Sequence, residues 1–358
     1  MNKNNRIVIY DIIRAICIIF VVLGHSTDIN IGTNNPFNYP QLDFVNQVLQ
    51  GVFRVIYFFH MYLFVMLSGA CSIISRRKEE FPQYVAKRSK RLLLPYFAVG
   101  LLVWIPIRYL TGYYTDESVM GVILNDLILG KDINYLWFLM MTWEIGIIFY
   151  FIKKVETKSN RPFKVLLLLF LLIISFVGRR YTDLPFQISK TLSHLVWFYL
   201  GILFERNRQY ILSYMQVKKN SVLLSLSLII SVVLYSVLSQ LDTRLGGMGG
   251  FLLKFFRVLF QYYSVLCIGL VFAVAASKLG PNSKITEYLR IISNDSMIIY
   301  LYHVPVIYIF CWIVISIVGG KLISPTLYAA LIILEFIAGL FIPLFIAKMW
   351  RTVRRGKE

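Results

Sequence analysis

The sequence is dominated by long apolar stretches separated by short polar segments. Most of these stretches approach the ~20 residues with which a helix crosses a bilayer. Their continuity excludes a transmembrane β-barrel, whose strands alternate in polarity over ~10 residues. The pattern predicts an all-α, polytopic integral membrane helical bundle of about ten transmembrane helices. The predicted spans are 7–28, 49–74, 92–111, 135–152, 164–178, 189–205, 221–240, 255–277, 295–318 and 325–348.

The composition indicates the same class. Hydrophobic residues make up 58% of the 358-residue chain and charged residues 15%, and the mean hydropathy is +0.68. A soluble domain carries about 25% charged residues, so that class is excluded. The four cysteines lie inside apolar stretches without paired spacing, which predicts packing residues and no disulfide. They are Cys17, Cys71, Cys267 and Cys311.

The distribution of charge predicts an orientation. Most of the 37 Lys and Arg residues lie in the two termini and in one alternating set of loops. Because such residues concentrate in cytoplasmic loops, we expect both termini to be cytoplasmic. The net charge of +19 then suits anionic lipid and a phosphorylated ligand, and no nucleic acid is expected to bind. We expect residues 1–350 to form one transmembrane domain in the cell (plasma) membrane and residues 351–358 a basic cytoplasmic tail.

The first span contains three residues that membrane helices normally exclude, Asp11, Arg14 and His25. Asp11 and Arg14 are three apart, so they share a helix face and can pair. Arg14 and His25 are eleven apart, which places them on the same face about 16 Å apart along the axis. Since a charge inside a span costs at least ~2.5 kcal/mol, its presence indicates a function.

His25 is the strongest candidate catalytic residue in the sequence. Imidazole is the side chain best suited to take a proton from a hydroxyl near neutral pH. The alternative is an interfacial histidine that faces water at a helix end. The shared face with Arg14 favours the catalytic interpretation.

A run of cations lies just before the third predicted span. Lys87, Arg88, Lys90 and Arg91 fall within five residues, and Arg88 and Arg91 project together. Such a cluster can bind phosphates. The alternative is an anchor that only fixes the orientation of the neighbouring span.

Several further polar residues are predicted at depth in the bundle. We expect His60, Glu144, His303 and Glu335 near mid-membrane and Trp137 near the outer surface, where they could contact a substrate or line a hydrated cavity. Hydrogen-bonded histidines buried for packing are the alternative. No two of the four histidines are three or four apart, so no metal site is predicted.

Short motifs also occur in a specific order along the whole chain. They are Tyr10–Arg14 with Gly24-His25-Ser26, His60–Gly69, Arg88-Ser89-Lys90-Arg91, Leu136–Leu139 and Ser296–His303. The ordered set resembles the acyltransferase 3 family of integral membrane acyltransferases, which carries an Arg/Lys-x10-His motif in its first helix and an Arg-x-x-Arg motif later. Some family members are fused to an SGNH domain, and this chain resembles the stand-alone form.

The resemblance implies an O-acyltransferase, usually an O-acetyltransferase. The acyl donor and co-substrate would be acetyl-CoA, with no metal. The acceptor would be a hydroxyl of a cell-surface carbohydrate, such as an exopolysaccharide or another polysaccharide, or of a lipid-linked glycan in contact with membrane lipid.

The resemblance also implies roles for individual residues. His25 would act as general base on the acceptor hydroxyl or would transiently carry the acyl group. Arg14, paired with Asp11, would position the donor or stabilise developing negative charge. The cations of the run, above all Arg88 and Arg91, would bind the CoA phosphates.

Two other functions are compatible with the same polar residues. A transporter or flippase for a polysaccharide or its lipid-linked precursor would use a similar polar pathway. A sensor or channel-like protein is a third interpretation, which the lack of a repeated pore motif disfavours. The sequence leaves open the acceptor, the acyl group and the oligomeric state.

Overall fold

A computed structural model of the protein describes residues 8–31, 37, 43–74, 79–182, 184–241, 247–318 and 324–355. These ranges are mostly helical, and none of their residues lies in a strand, which confirms the all-α class. The helices are α1 (Val8–Asp28), α2 (Asp43–Ile74), α3 (Phe81–Val99), α4 (Ile105–Leu110), α5 (Val119–Val122), α6 (Trp137–Glu156), α7 (Arg161–Arg180), α8 (Ile188–Arg206), α9 (Arg208–Gln216), α10 (Lys218–Leu241), α11 (Gly247–Lys278), α12 (Lys284–Asn294), α13 (Ser296–Val318) and α14 (Pro325–Arg355).

Nine helices of the described ranges are long and apolar enough to cross a membrane. They are α1, α2, the continuous helix Phe81–Leu110, α6, α7, α10, α11, α13 and α14. The predicted polytopic membrane bundle is therefore confirmed, with one span fewer by this criterion.

The sixth predicted span, 189–205, is the one that the criterion leaves out; it corresponds to α8, which is long enough but carries polar side chains. Ser189, Thr191, Ser193 and His194 of this helix are all buried. These groups form hydrogen bonds inside the protein, which offset the free-energy cost of burying them. Hydropathy underestimates α8 because its polar residues face other helices and not lipid.

α8 packs closely on α2 through two glycines. A Cβ on Gly69 would overlap the backbone of Phe198, and a Cβ on Gly201 would overlap the backbone of Met66. Small residues at helix interfaces let backbones approach in membrane bundles. The α2–α8 contact therefore depends on both glycines.

α6 and α8 run in the same direction. His194, near the start of α8, lies against Trp137 at the start of α6, with ring centroids 5.8 Å apart. Arg206 and Glu156, at the far ends of the two helices, form an ion pair. α8 thus connects the two ends of the bundle as a tenth span would.

The start of α1 and the end of α14 lie at the same end of the bundle. Asp11 accepts a hydrogen bond from Ser293, just before α13. Arg351, near the end of α14, pairs with Asp295 at 2.6 Å. We call this end of the bundle, which also holds the run 87–91, the basic face.

Four segments differ from the predicted pattern. α3 begins at Phe81, so the cationic run lies within a helix and not before it. A π-helical segment, Gly100–Trp104, joins α3 to α4. An apolar helix, Val119–Ile128, lies between the third and fourth predicted spans, and α12 lies between the eighth and ninth.

Candidate functional site

A cavity of about 390 Å³ lies at the basic face, between α1, α2, α3, α6 and α13. Glu79 is the acidic residue among its described lining residues. Its cations come from three helices and are Arg14, Lys87, Arg88, Arg91 and Lys153. We call it the cationic cavity. Five cations against one carboxylate make it a site for an anionic ligand.

Arg14 reaches the cationic cavity from α1. It lies 3.7 Å from the carboxylate of Asp11, as the spacing of the two residues predicts. Its guanidinium also donates to Ser293 Oγ and to Cys71 Sγ, each at 3.4 Å. The predicted pair is thus part of a small network that holds Arg14 at the cavity wall.

Arg88 is held against α6. It donates to the carbonyl oxygen of Trp143 at 3.2 Å and to that of Thr142. Its guanidinium occupies the space in which Gly146 has no side chain. Arg88 therefore fixes α3 on α6 while it lines the cavity.

The remaining cations of the predicted set differ in position. Lys87 and Arg91 line the cavity, and Lys87 pairs with Glu79 at 2.6 Å. Lys90 is exposed and does not line the cavity, because it projects from another face of α3. The predicted group of four therefore places three members at the cavity.

Lys153 is a cavity cation that the sequence analysis did not single out. Its Nζ donates to Ser72 Oγ at 2.7 Å and to the Ser72 carbonyl at 3.1 Å. Its position near the end of α6 is typical of a lysine that only fixes the orientation of a membrane span. The sequence feature that could have identified Lys153 is its spacing from Thr142 and Gly146, which places all three residues on one helix face.

His25 lies in an aromatic cluster deeper in the bundle. Its ring centroid is 5.1 Å from that of His303, 6.0 Å from that of Tyr57 and 6.3 Å from that of Tyr135. Its Nε2 is 3.3 Å from the Tyr57 hydroxyl. We call these four residues the histidine cluster. The imidazole faces protein and not lipid.

The second imidazole of the histidine cluster has one free nitrogen. His303 Nδ1 lies 2.8 Å from the Tyr300 carbonyl and 3.0 Å from the Ile299 carbonyl. A carbonyl only accepts, so Nδ1 carries the proton and Nε2 is an acceptor. His303 Nε2 is buried without a hydrogen-bond partner, which leaves it able to accept a proton.

The cationic cavity ends one helical turn before the histidine cluster. Four residues line its deep end, and each lies three or four positions along the chain from one member of the histidine cluster. They are Val21 (near His25), Met61 (near Tyr57), Leu139 (near Tyr135) and Tyr300 (near His303). Tyr300 lies between the cationic cavity and the histidine cluster, because it lines the cavity and its ring centroid is 5.9 Å from that of His303. Its hydroxyl donates to the Tyr135 carbonyl, and the Tyr135 hydroxyl donates to the Leu301 carbonyl at 2.8 Å.

The other predicted substrate residues lie around these compartments and do not line the cavity. His60 is buried, with Nδ1 2.6 Å from the Ile56 carbonyl and its ring beside that of Tyr57. Trp137 contacts His194. These positions make His60 and Trp137 supporting residues of the bundle interior.

The two predicted mid-membrane carboxylates have partners from other helices. Glu144 accepts a hydrogen bond from Thr191 of α8 at 2.6 Å. Glu335 is fully buried and accepts one from Asn30 at 2.6 Å. Neither lines the cationic cavity. Among the described residues, no group of three His, Cys, Asp or Glu is placed to hold a metal ion.

The arrangement can hold an extended anion and present it to an imidazole. Cations at the basic face would bind phosphates through charge-assisted hydrogen bonds. The apolar deep end would direct the rest of such a ligand towards the histidine cluster. Tyr135 and His303 of that cluster are buried and His25 and Tyr57 are half-buried, which would limit the access of bulk water to a reaction there.

Comparison with known proteins identifies related chains. A family model described as acyltransferase domain, Acyl_transf_3, matches residues 7–351. The nodulation protein NolL of Mesorhizobium japonicum is 28% identical over 211 residues, which cover 56% of this chain and 48% of that protein. NolL of Sinorhizobium fredii is 35% identical over 92 residues, 26% of this chain and 23% of that protein. The matched segment thus covers about half the length of the first relative and less than a quarter of the length of the second. No solved structure matches.

Proposed function

The chain belongs to the acyltransferase 3 family, and from this premise we propose that it is a membrane O-acyltransferase that moves an acetyl group from cytoplasmic acetyl-CoA to a carbohydrate hydroxyl. The acceptor would be a cell-surface or lipid-linked glycan, and the membrane the cell membrane. The observation that carries the proposal is the cationic cavity that ends one helical turn from the His25–His303 pair.

The donor site of this proposal is the cationic cavity. CoA carries several phosphate charges, and the cavity holds five cations near the basic face. Arg88 and Arg91 would bind phosphates, with Lys87 and Lys153 beside them. Lys90, outside the cavity, would add only long-range attraction. Arg14, deeper on α1, would contact the pantetheine arm or the thioester oxygen.

The transfer step would take place beside the histidine cluster. His25 would accept the proton of the acceptor hydroxyl as its oxygen attacks the thioester carbonyl. A C–O bond forms, the C–S bond breaks, and the CoA thiolate takes up the proton and leaves as free thiol. His303, whose Nε2 is unpartnered, would orient the acceptor or relay the proton. Alternatively, His25 carries the acetyl group transiently.

This step requires the donor thioester to pass Tyr300, which lies between the cationic cavity and the histidine cluster. Tyr300 and Tyr135 are joined by hydrogen bonds to backbone carbonyls, which a side-chain rotation would break. The arrival of the pantetheine arm would therefore have to displace the Tyr300 side chain. We assign this displacement to donor binding.

The test of the proposal is a transfer assay with purified protein, acetyl-CoA and the isolated surface glycan. We expect free CoA and a glycan that is heavier by one acetyl group. His25→Gln should lower the rate about 10²–10⁴-fold, as expected for loss of a general base. His194→Gln is the matched control, because His194 is buried outside the cavity and the histidine cluster.

Each alternative gives a different result in the same assay. A transporter or flippase would release no CoA, with or without His25. A normal transfer rate in His25→Gln would refute the catalytic role of His25 while leaving the acyltransferase assignment in place. Mass spectrometry of surface glycans from cells with and without the gene would identify both the acceptor and the acyl group.

A further inference from the structure

A second cavity lies on the other side of α1 and α2 from the cationic cavity. Its volume is about 490 Å³, and no charged residue is among its described lining residues. Leu67 of α2 lines both cavities. We call it the apolar groove. Its walls come from α1, α2, α8, α9 and α11, and include Ile13, Leu63, Leu200, Leu266, Leu270 and Ala273.

The apolar groove lies in the half of the bundle next to the basic face. Tyr10 of α1, Asn207 between α8 and α9, and Tyr210 of α9 line it there. Tyr210 is 72% exposed, and exposed tyrosines are typical of the level of the lipid headgroups. The groove therefore begins at the headgroup level and extends along α2 from Ala70 to Leu63, about 10 Å into the membrane at 1.5 Å per residue.

We propose that the apolar groove binds an acyl chain of an anionic glycerophospholipid from the leaflet at the basic face. The described lining is apolar apart from Asn207 and the two tyrosines Tyr10 and Tyr210 near the entrance, so it suits a hydrocarbon chain better than a polar ligand. A lipid chain reaches it from the same leaflet without crossing water.

Cations close to the groove lining in the chain favour an anionic headgroup. Lys218 and Lys219 are exposed at the start of α10, three and four positions after the lining residue Met215. Arg208, next to the lining residue Asn207, pairs with Glu205 at 3.0 Å, so it retains donors for a phosphate. Clustered cations at a membrane surface attract anionic lipid.

Two other acyl-bearing ligands fit the groove less well. The acyl group of the donor would lie in the cationic cavity, and the packed α1–α2 pair separates that cavity from the groove, with Leu67 in the shared wall. A lipid-linked acceptor would bring its hydroxyl to His25, which is about 16 Å along α1 from Arg14 and farther still from the groove entrance at Tyr10.

A bound acyl chain would stabilise the packing of α1 against α2 beside the cationic cavity. It would contact Ile13 and Leu67, while Arg14 and the opposite side of Leu67 face the cationic cavity. Filling the groove would therefore hold α1 and α2 in the spacing that places Arg14 at the cavity wall.

The test uses the full-length protein in phosphatidylcholine nanodiscs that contain a tenth of phosphatidylglycerol with a photoreactive acyl chain. We expect crosslinks on α2 between Leu63 and Ala70 and on α11 between Leu266 and Ala273. Leu270→Trp, which fills the groove, should reduce these crosslinks about tenfold. Leu252→Trp on the same helix is the control, because Leu252 is 47% exposed.

Further arms of the experiment decide among the alternatives. Lys218→Gln with Lys219→Gln should remove the preference for phosphatidylglycerol over an equally photoreactive phosphatidylcholine. Equal labelling of both lipids by the unaltered protein would overturn the assigned headgroup. Crosslinks spread evenly over the exposed faces of α7 and α10, or groove crosslinks displaced by long-chain acyl-CoA, would overturn the site itself. Ala273→Phe repeats the filling test if Leu270→Trp fails to fold.

Discussion

At the scale of the residue, the cations of the basic face are not equivalent. Arg88 uses its guanidinium to bind two α6 carbonyls, whereas Lys153 donates to Ser72 of α2 and retains charge for a ligand. Arg14 is shared between Asp11, Ser293 and Cys71. Loss of Arg88 should therefore affect folding and binding together, and loss of Lys153 mainly binding.

Lys153 and Lys90 form a matched pair for the donor site. Lys153→Ala should raise the KM for acetyl-CoA about tenfold, because a hydrogen bond to a charged group contributes about 1.5–3 kcal/mol. Lys90→Ala removes the same charge outside the cavity and should change the KM less than about twofold. Steady-state kinetics in detergent measure both, and equal effects of the two variants would contradict the assignment of the cavity.

Cys71 reports occupation of the cationic cavity directly. It lines the cavity and is half-buried, whereas Cys17, Cys267 and Cys311 are buried. N-ethylmaleimide should therefore modify Cys71 first. CoA at ten times its Kd should slow the modification about tenfold, because a bound site is protected in proportion to its occupancy. The Cys71→Ser variant gives the background, and an unchanged rate with CoA would exclude the cavity as the donor site.

The residue scale also shows what a sequence can predict. Asp11 and Arg14 could be paired because they share one helix and one face, and His25 could be placed on the same helix. The contact of His25 with His303 joins residues 278 positions apart, and no periodicity within one helix contains it. Lys153 was missed for the same reason, since only the cavity distinguishes it from its neighbour Lys154.

At the scale of the element, the hydrophobic pattern predicts helices that face lipid better than helices that face protein. α10 has exposed apolar residues along most of its length and was predicted closely. α8 is lined with buried polar groups, so its apolar content falls below that of a lipid-facing span. α12 and the helix Val119–Ile128 were missed because they are too short to cross a membrane.

Two glycines of α2 allow a test of the α2–α8 contact. Gly69→Ala would place a methyl group on the backbone of Phe198 and should destabilise the protein by about 1–3 kcal/mol. Gly51→Ala adds the same methyl group in open space and should be neutral or stabilising by up to about 1 kcal/mol. Thermal unfolding in detergent measures the difference. Equal unfolding temperatures would show that α2 and α8 are not in close contact.

At the scale of the whole molecule, the cationic cavity and the histidine cluster lie one after the other along the bundle. The start of α1, the end of α14 and the cationic cavity share the basic face. The histidine cluster lies past the deep end of that cavity. The separation of Arg14 and His25 along α1 follows from their spacing in the sequence. The sequence could not predict the hydrogen bonds of Tyr300 and Tyr135, which join the segment before α6 to α13.

The orientation of the bundle can be measured with two single cysteines in a cysteine-free variant. Asn282, between α11 and α12, and Thr115, between α4 and α5, are exposed at opposite ends of the bundle. If the basic face is cytoplasmic, a membrane-impermeant thiol reagent should label Thr115→Cys in intact cells. Asn282→Cys should be labelled only after the cells are permeabilised. The reverse pattern would invert the bundle and place the donor site outside the cell.

The closed deep end of the cationic cavity has a consequence for the cell that contains it. A water-filled passage with openings on both surfaces would leak protons and salt, and would dissipate the voltage that the membrane maintains. Here the cavity lining ends at Tyr300, whose hydroxyl donates to the Tyr135 carbonyl. In the proposed function, a cavity that ends in this way would let a small chemical group be passed from one side to the other while the protein remains an electrical insulator.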